Sequence, residues 1–208
     1  MSLKRDNFNL IDKKFMQFAI KLANNQKALT GINPSVGCVI VKNKKIISYG
    51  VTSINGRPHA ETIALRKNKK ENCGSTMYLT LEPCSHYGKT PPCTNAIIKS
   101  KIRKVYYSSE DFDYRSYKKS KKLLKSKKII VNNGLLINEI KDLYRSYNYS
   151  KKNNYPYIIG KLACSSNFYI LKNNSYITNE HSRNVSQILR YENHGILTTY
   201  KTVNSDNP

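Results

Sequence analysis

Two separate segments of the chain carry side chains that bind metal ions, and any fold of this chain has to bring them together. His59 opens the first segment, and Cys84 and Cys93 belong to the second. An imidazole and two thiolates are ligands that Zn²⁺ favours, and catalytic zinc sites use three protein ligands and leave a fourth position to water. Glu61 lies two residues from a ligand, where its carboxylate can move protons. The sequence therefore predicts a catalytic zinc site, with His59, Cys84 and Cys93 as ligands and Glu61 as the catalytic acid and base.

Each of these residues would be weak evidence alone. A histidine before a helix is usually a surface or core residue, and a Pro-Cys pair is often part of an ordinary loop. Their combination, in this order and at this separation, is what makes the prediction specific. Cys38 lies in an apolar run and is expected in the core, whereas Cys73 and Cys164 carry no functional signal.

The composition favours a soluble protein that is larger than one average domain. The chain has 208 residues, enough for one buried domain of about 150 residues and a remainder. No apolar run approaches the roughly 18 residues of a membrane helix, and the N-terminus lacks the apolar segment of a signal peptide. We therefore expect a cytoplasmic protein with no membrane partner. The five cysteines are an odd number, which favours thiols and metal binding over disulfides.

The net charge of +23 raises the question of a polyanionic partner. The excess is mostly lysine, and it accompanies abundant Asn, Ile and Tyr along the whole chain. This joint bias is what an AT-rich genome imposes on solvated positions. We therefore do not expect nucleic-acid binding, and we keep a basic, nucleic-acid-binding zinc protein as the alternative interpretation.

Hydrophobic periodicity predicts an α/β fold with a mixed sheet, in which a hairpin comes first and parallel strands follow. The predicted strands are 36–41, 46–51, 76–81, 105–107 and 129–131. The predicted helices are 10–24, 59–68, one capped by Thr90, 114–125 and 137–149. A polar segment, 150–156, then predicts a linker. After it we expect a strand over 157–163, a helix capped by Thr178 and a strand over 195–199, which together are too small to close a core. The predicted organisation is thus a zinc domain at 1–149, a linker at 150–156 and a partial domain at 157–208.

The segment between the two cysteines narrows the choice of family. Zinc nucleobase deaminases, and the tRNA-type deaminases that are the basic alternative, have two residues between their cysteines, whereas eight separate Cys84 from Cys93 here. Those eight read Ser-His-Tyr-Gly-Lys-Thr-Pro-Pro, preceded by Thr-Leu-Glu-Pro. This segment resembles the bifunctional riboflavin-biosynthesis deaminase/reductase family, and the resemblance extends from Phe15 to about Val131. It implies a three-layer αβα domain of the cytidine-deaminase type, followed by a partial, dihydrofolate-reductase-like segment.

The resemblance also implies a substrate, the small phosphorylated pyrimidine 2,5-diamino-6-ribosylamino-4(3H)-pyrimidinone 5′-phosphate, deaminated with the help of Zn²⁺. The residues that match the family's substrate contacts are Asn33, His86 and Lys89, the last two towards the phosphate. Asp113 stands where the family has an amide. An added negative charge should weaken binding unless Asp113 turns away or is offset by lysine.

Beyond residue 156 the chain resembles the start of the family's NADPH-dependent reductase domain. Ala163, Thr202 and Asp206 match residues on the cofactor side, and Arg190 matches a residue on the substrate side. The chain stops at Pro208. We therefore expect an incomplete reductase half, without reductase activity, in a truncated sequence or fragment, and we expect NADPH only where that half is completed. A homo-oligomer is possible from sequence.

Overall fold

The computed structural model describes residues 8–169 and 177–206, and the chain divides into two compact units. The first unit extends to Tyr157 and the second begins at Ile158. The division falls next to the end of the predicted linker.

A five-stranded mixed sheet forms the centre of the first unit. Strands β1 and β2 form an antiparallel hairpin, β1 also pairs antiparallel with β3, and β3, β4 and β5 are parallel. The order across the sheet is β2-β1-β3-β4-β5. The prediction of a hairpin followed by parallel strands is confirmed. The strands are β1 Gly37–Lys42, β2 Lys45–Val51, β3 Thr76–Leu81, β4 Lys104–Ser109 and β5 Ile130–Asn133.

Eight α-helices are seen in the described residues, six of them in the first unit. They are α1 Leu10–Asn25, α2 Ala60–Lys67, α3 Cys93–Lys99, α4 Lys119–Ser126, α5 Ile137–Ile140, α6 Arg145–Asn153, α7 Glu180–Tyr191 and α8 Tyr200–Asp206.

Two glycines show that helices cover both faces of the sheet. A Cβ atom at Gly37 would lie 2.0 Å from the Ala19 carbonyl oxygen in α1, and one at Gly50 would lie 2.3 Å from the Ala60 carbonyl oxygen in α2. Gly50 pairs with Cys38, the neighbour of Gly37. Successive residues of a strand point to opposite faces, so α1 and α2 lie on opposite faces. The predicted three-layer arrangement is confirmed, and Cys38 is buried in the core as expected.

The strand register brings four connecting segments to one end of the sheet. The Gly37 amide at the start of β1 donates to Thr80 Oγ1, near the end of β3, at 3.0 Å. Val51, which ends β2, pairs with Gly37, and Leu81 pairs with Ser109, which ends β4. The segments before β1 and after β2, β3 and β4 therefore emerge together.

Several predicted helix boundaries were wrong for local reasons. The helix predicted over 114–125 begins only at Lys119. The Ser116 and Tyr117 amides donate to the backbone carbonyl oxygen of Asp113 and form a turn, and Lys118 has a left-handed φ of 57°. The helix predicted over 137–149 is two helices, and the second continues to Asn153, so the first residues of the predicted linker are helical. Thr90 does not cap α3, which begins after Pro92.

The second unit has the predicted helix but lacks the predicted strands. Helix α7 is capped by Asn179 rather than Thr178, since Asn179 Oδ1 accepts from the Ser182 amide at 2.9 Å. The strands predicted over 157–163 and 195–199 are wrong, because no strand occurs among the described residues after 157. Each would need a hydrogen-bonded partner and a covered face, and no described residue from Ile158 onwards is buried. None of the described helices is long and apolar enough to cross a membrane.

Candidate active site

The three predicted zinc ligands converge. His59 Nδ1 lies 3.3 Å from Cys93 Sγ and 3.7 Å from Cys84 Sγ, and the three ligand atoms are all within 4.8 Å of one another. Zinc bonds of about 2.3 Å to sulfur and about 2.0 Å to nitrogen, at tetrahedral angles, separate a sulfur from a nitrogen by about 3.5 Å. The donor atoms therefore fit a single Zn²⁺ ion.

The fold positions each ligand where a segment leaves the common end of the sheet. His59 is the N-cap of α2, Cys84 follows β3, and Cys93 is the first residue of α3. The Cys93 amide donates to Cys84 Sγ at 3.2 Å. Hydrogen bonds from Cys93 and His59 lower the pKa of the Cys84 thiol to about 4, and the same bond to Cys84 raises the pKa of Cys93. One thiolate is thus favoured by the protein alone, and a bound cation favours the second.

Glu61 is buried beside the ligand cluster as the second residue of α2. Burial, reinforced by the negative charge of Cys84, raises the pKa of its carboxyl to about 6. A carboxyl group with a pKa near neutrality can both accept and release a proton. The position suits the predicted acid and base, whose catalytic role stays a prediction.

His86 is held by a residue that the sequence did not single out. Its Nδ1 lies 2.8 Å from the hydroxyl oxygen of Ser116, which is fully buried. This bond occupies Nδ1 and leaves Nε2 for another partner. Ser116 belongs to the segment after β4. The only feature of the sequence that could have indicated a role for it is this position after a parallel strand.

The segment after β4 is itself organised by Glu82, which the motif contains but to which no role was assigned. The buried Glu82 carboxylate accepts from the Asp111 amide at 3.3 Å, the Lys118 amide at 3.2 Å and the Ser120 hydroxyl at 2.6 Å. These bonds fix both ends of the loop that contains Ser116. Glu82 therefore links the strand before Cys84 to the support of His86.

Asn33 and Lys89 lie on two of the segments that meet at this end of the sheet. Asn33 precedes β1 and packs against Gly56, where a Cβ atom would lie 2.2 Å from Asn33 Nδ2. Gly56 has φ of 84° and stands three residues before His59. Lys89 is exposed on the loop between the cysteines. Their contacts with substrate stay predictions.

Asp113 is tied to two basic side chains. Arg115 donates to its two carboxylate oxygens at 2.8 and 2.6 Å, and Lys151 in α6 donates to Oδ2 at 3.2 Å. The Arg115 bonds, with help from Lys151, hold the pKa of Asp113 well below its usual range. The added charge is thus offset, mainly by Arg115 and to a smaller extent by a lysine. The contact of Asp113 with substrate stays a prediction.

The four residues predicted for the reductase half all belong to the second unit. Ala163 lies outside helices and strands, Arg190 is in α7, and the Thr202 amide donates to Thr199 Oγ1 at 3.3 Å. Asp206 ends α8, and its side chain lies outside the described part of the structure. The roles of these residues towards NADPH and substrate stay predictions.

Part of the chain matches a known family model. The model for the cytidine and deoxycytidylate deaminase zinc-binding region matches residues 10–109. This range includes the three candidate ligands and Glu61.

Curated relatives and a solved structure match most of the chain. It is 37% identical over 206 residues to the riboflavin biosynthesis protein RibD of Aquifex aeolicus, with 95% of this chain and 56% of the relative covered. It is 36% identical over 200 residues to RibD of Escherichia coli, covering 95% and 54%. A crystal structure of a diaminohydroxyphosphoribosylaminopyrimidine deaminase/5-amino-6-(5-phosphoribosylamino)uracil reductase from Thermotoga maritima has a TM-score of 0.86 at 33% identity, covering 95% and 58%. The chain therefore spans little more than half the length of these proteins.

Proposed function

The chain belongs to the RibD family of riboflavin biosynthesis proteins, and from this premise we propose that it is a zinc-dependent deaminase. Its proposed substrate is 2,5-diamino-6-ribosylamino-4(3H)-pyrimidinone 5′-phosphate, whose 2-amino group is replaced by oxygen from water with release of ammonia. The observation that carries the proposal is the convergence of two thiols and an imidazole beside a buried carboxyl group.

His59, Cys84 and Cys93 would hold the ion. When bound, Zn²⁺ lowers the pKa of a water molecule towards about 7. Glu61 accepts a proton from the attacking water and gives it to the ring nitrogen next to the carbon that is attacked. A second proton passes through the same carboxyl group to the amine, which leaves as ammonia. Burial raises the pKa of Glu61 above its ordinary value, which favours a carboxyl group that both accepts and releases a proton.

The remaining candidate residues would orient the substrate. His86 and Lys89 lie on the loop between the cysteines and would face the phosphate, since a histidine held through Nδ1 and a lysine can both donate to phosphate oxygens. Asn33 would contact the ring. We also propose that the protein is cytoplasmic. Its only substrate class in this proposal is a small phosphorylated molecule. NADPH binding and reduction stay predictions of the resemblance.

The test is ammonia release by the full chain loaded with zinc. We expect one ammonia per substrate consumed, and no ammonia from an adenosine-containing tRNA. If the chain holds one zinc per molecule but releases no ammonia from the diaminopyrimidinone phosphate, the proposal is wrong. Release from the tRNA would instead favour the basic, tRNA-type deaminase.

A further inference from the structure

The loop between the two cysteines is joined to the segment that leads to His59 by an arginine. Arg57 Nη1 donates to Thr90 Oγ1 at 2.6 Å. Arg57 stands two residues before His59, and Thr90 stands three residues before Cys93. The bond therefore connects the two ligand-bearing segments just outside the metal site.

The same guanidinium borders an open surface at Gly88. A Cβ atom built at Gly88 would lie 3.5 Å from Arg57 Nη2 and 3.9 Å from His86 Nε2. The guanidinium and the imidazole thus flank one exposed glycine, which has no side chain to fill the space between them. Lys89 is the next residue and is exposed.

Both flanking groups are held in place by bonds that leave donors free for a ligand. Ser116 occupies His86 Nδ1, so that Nε2 is the nitrogen on the Gly88 side. Thr90 occupies one N–H of Arg57, whose guanidinium has five. A preorganised guanidinium loses less conformational entropy for each further bond. Two oriented donors next to an exposed ammonium are what a phosphate dianion requires.

We propose that Arg57 is a specificity-determining residue that binds the phosphate of the substrate together with His86 and Lys89. This inference rests on the proposed function and adds a contact from the segment that carries His59. Because the Arg57 guanidinium belongs to that segment, a phosphate bound to it also fixes the segment relative to the loop between the cysteines. An arginine can bind two phosphate oxygens through a planar pair of parallel N–H donors, a geometry that the ammonium group of lysine does not offer.

The test compares Arg57→Gln with Arg66→Gln, which removes the same charge from an exposed position in α2. Rates are measured with the phosphorylated substrate and with its dephosphorylated ribonucleoside. For Arg57→Gln we expect the ratio of the two kcat/KM values to fall about 10-fold to 100-fold, the size of a lost charged hydrogen bond. The change should lie in the KM for the phosphorylated substrate. Arg66→Gln should keep the ratio, and Arg57→Lys should fall between them.

A binding measurement separates this inference from the proposed function. Titration calorimetry with ribose 5-phosphate should show affinity for the unaltered chain and for Arg66→Gln, and about 10-fold weaker binding to Arg57→Gln. The inference would be overturned if ribose 5-phosphate bound equally to the unaltered chain and to both variants, or if Arg57→Gln lost the same activity with both substrates. Arg57 would then only hold Thr90 in place. Absence of ammonia release with normal ribose 5-phosphate binding would overturn the proposed function instead. Zinc content and circular dichroism show that each variant is folded.

Discussion

The segments Thr76–Leu81 and 157–163 look alike as sequences and differ as structures. Both are short runs rich in β-branched, aromatic or aliphatic residues. The first is β3, paired on one side with β1 and on the other with β4. The second is not a strand, and Ile158 and Leu162 are 83% and 70% exposed. A run with this pattern thus becomes a strand only where the rest of the unit supplies a neighbouring strand to pair with and elements that cover its face.

The two units differ in the same way. The first has a continuous core and gathers all the candidate residues of the metal site, and the second has no buried residue among those described. We therefore propose that the deamination chemistry belongs to the first unit alone. Four comparisons of variants, in order of decreasing expected effect, test this difference between the units.

Removing a ligand from the first unit should have the largest effect. Cys84→Ala leaves two ligands for an ion that needs three from the protein, so we expect zinc content to fall below about a tenth and ammonia release to be lost. Zinc is measured by atomic emission after dialysis. Cys73→Ala, which alters an exposed thiol, should keep full zinc content. Zinc retained in Cys84→Ala would show that the site is elsewhere.

The second largest effect should come from core packing, because truncating a buried side chain costs more stability than truncating an exposed one. Ile97 in α3 is fully buried, whereas Ile188 in α7 is 56% exposed. Ile97→Ala should lower the free energy of unfolding by about 2–5 kcal/mol because it opens a cavity, and Ile188→Ala by no more than about 0.5 kcal/mol. Urea unfolding followed by circular dichroism measures both. Comparable losses would mean that the second unit packs as tightly as the first.

The ion pair at Asp113 should give a smaller effect that depends on pH. Since Arg115 and Lys151 depress the pKa of Asp113, the pair stabilises the fold above the unfolded carboxyl pKa of about 3.9, and this contribution is lost as pH falls through the lower folded pKa. Asp113→Asn should cost about 1 kcal/mol at pH 7, because Arg115 is partly solvated. The difference from the unaltered chain should shrink below pH 4. Asp142→Asn, at an exposed ion pair, is the control; a pH-independent difference at Asp113 would contradict the assignment.

Substitutions in the second unit should have the smallest effect on deamination. Arg190→Ala and Thr202→Ala alter residues predicted for the reductase half, and we expect the kcat/KM for ammonia release to stay within about twofold. The measurement is the ammonia assay with the phosphorylated substrate. A loss of 10-fold or more in either variant would show that deamination depends on the second unit.

Much of the first unit could be predicted from sequence, because its signals are local. The hairpin followed by parallel strands, the placement of the candidate ligands after a strand and at helix starts, and the zinc-type donor set all follow from short motifs and periodicity. Contacts between distant segments could not be predicted. Ser116 meets His86 across 30 residues, and Lys151 in α6 meets Asp113 across 38. Such pairs depend on how separate segments meet in the folded unit, and no local pattern encodes that geometry.

The predictions of helix boundaries and of strands in the second unit failed because both features depend on contacts with other segments. Lys118 adopts a left-handed conformation between a turn and α4, although its neighbours have helical periodicity. The turn is stabilised by Glu82, which belongs to another segment. Tertiary contacts overrode local propensity at this position.

The most direct test of the account is Glu61→Gln in the full chain. The amide keeps the shape of the side chain but cannot transfer the protons, so ammonia release from the diaminopyrimidinone phosphate should fall by about 10²-fold to 10⁴-fold. Zinc content should be unchanged. The free energy of unfolding should be unchanged or slightly raised, since a buried ionisable group is replaced by a neutral one. Loss of ammonia release with zinc still bound is the predicted result. Release at the unaltered rate with zinc bound would contradict the assignment of Glu61 and with it the proposed mechanism.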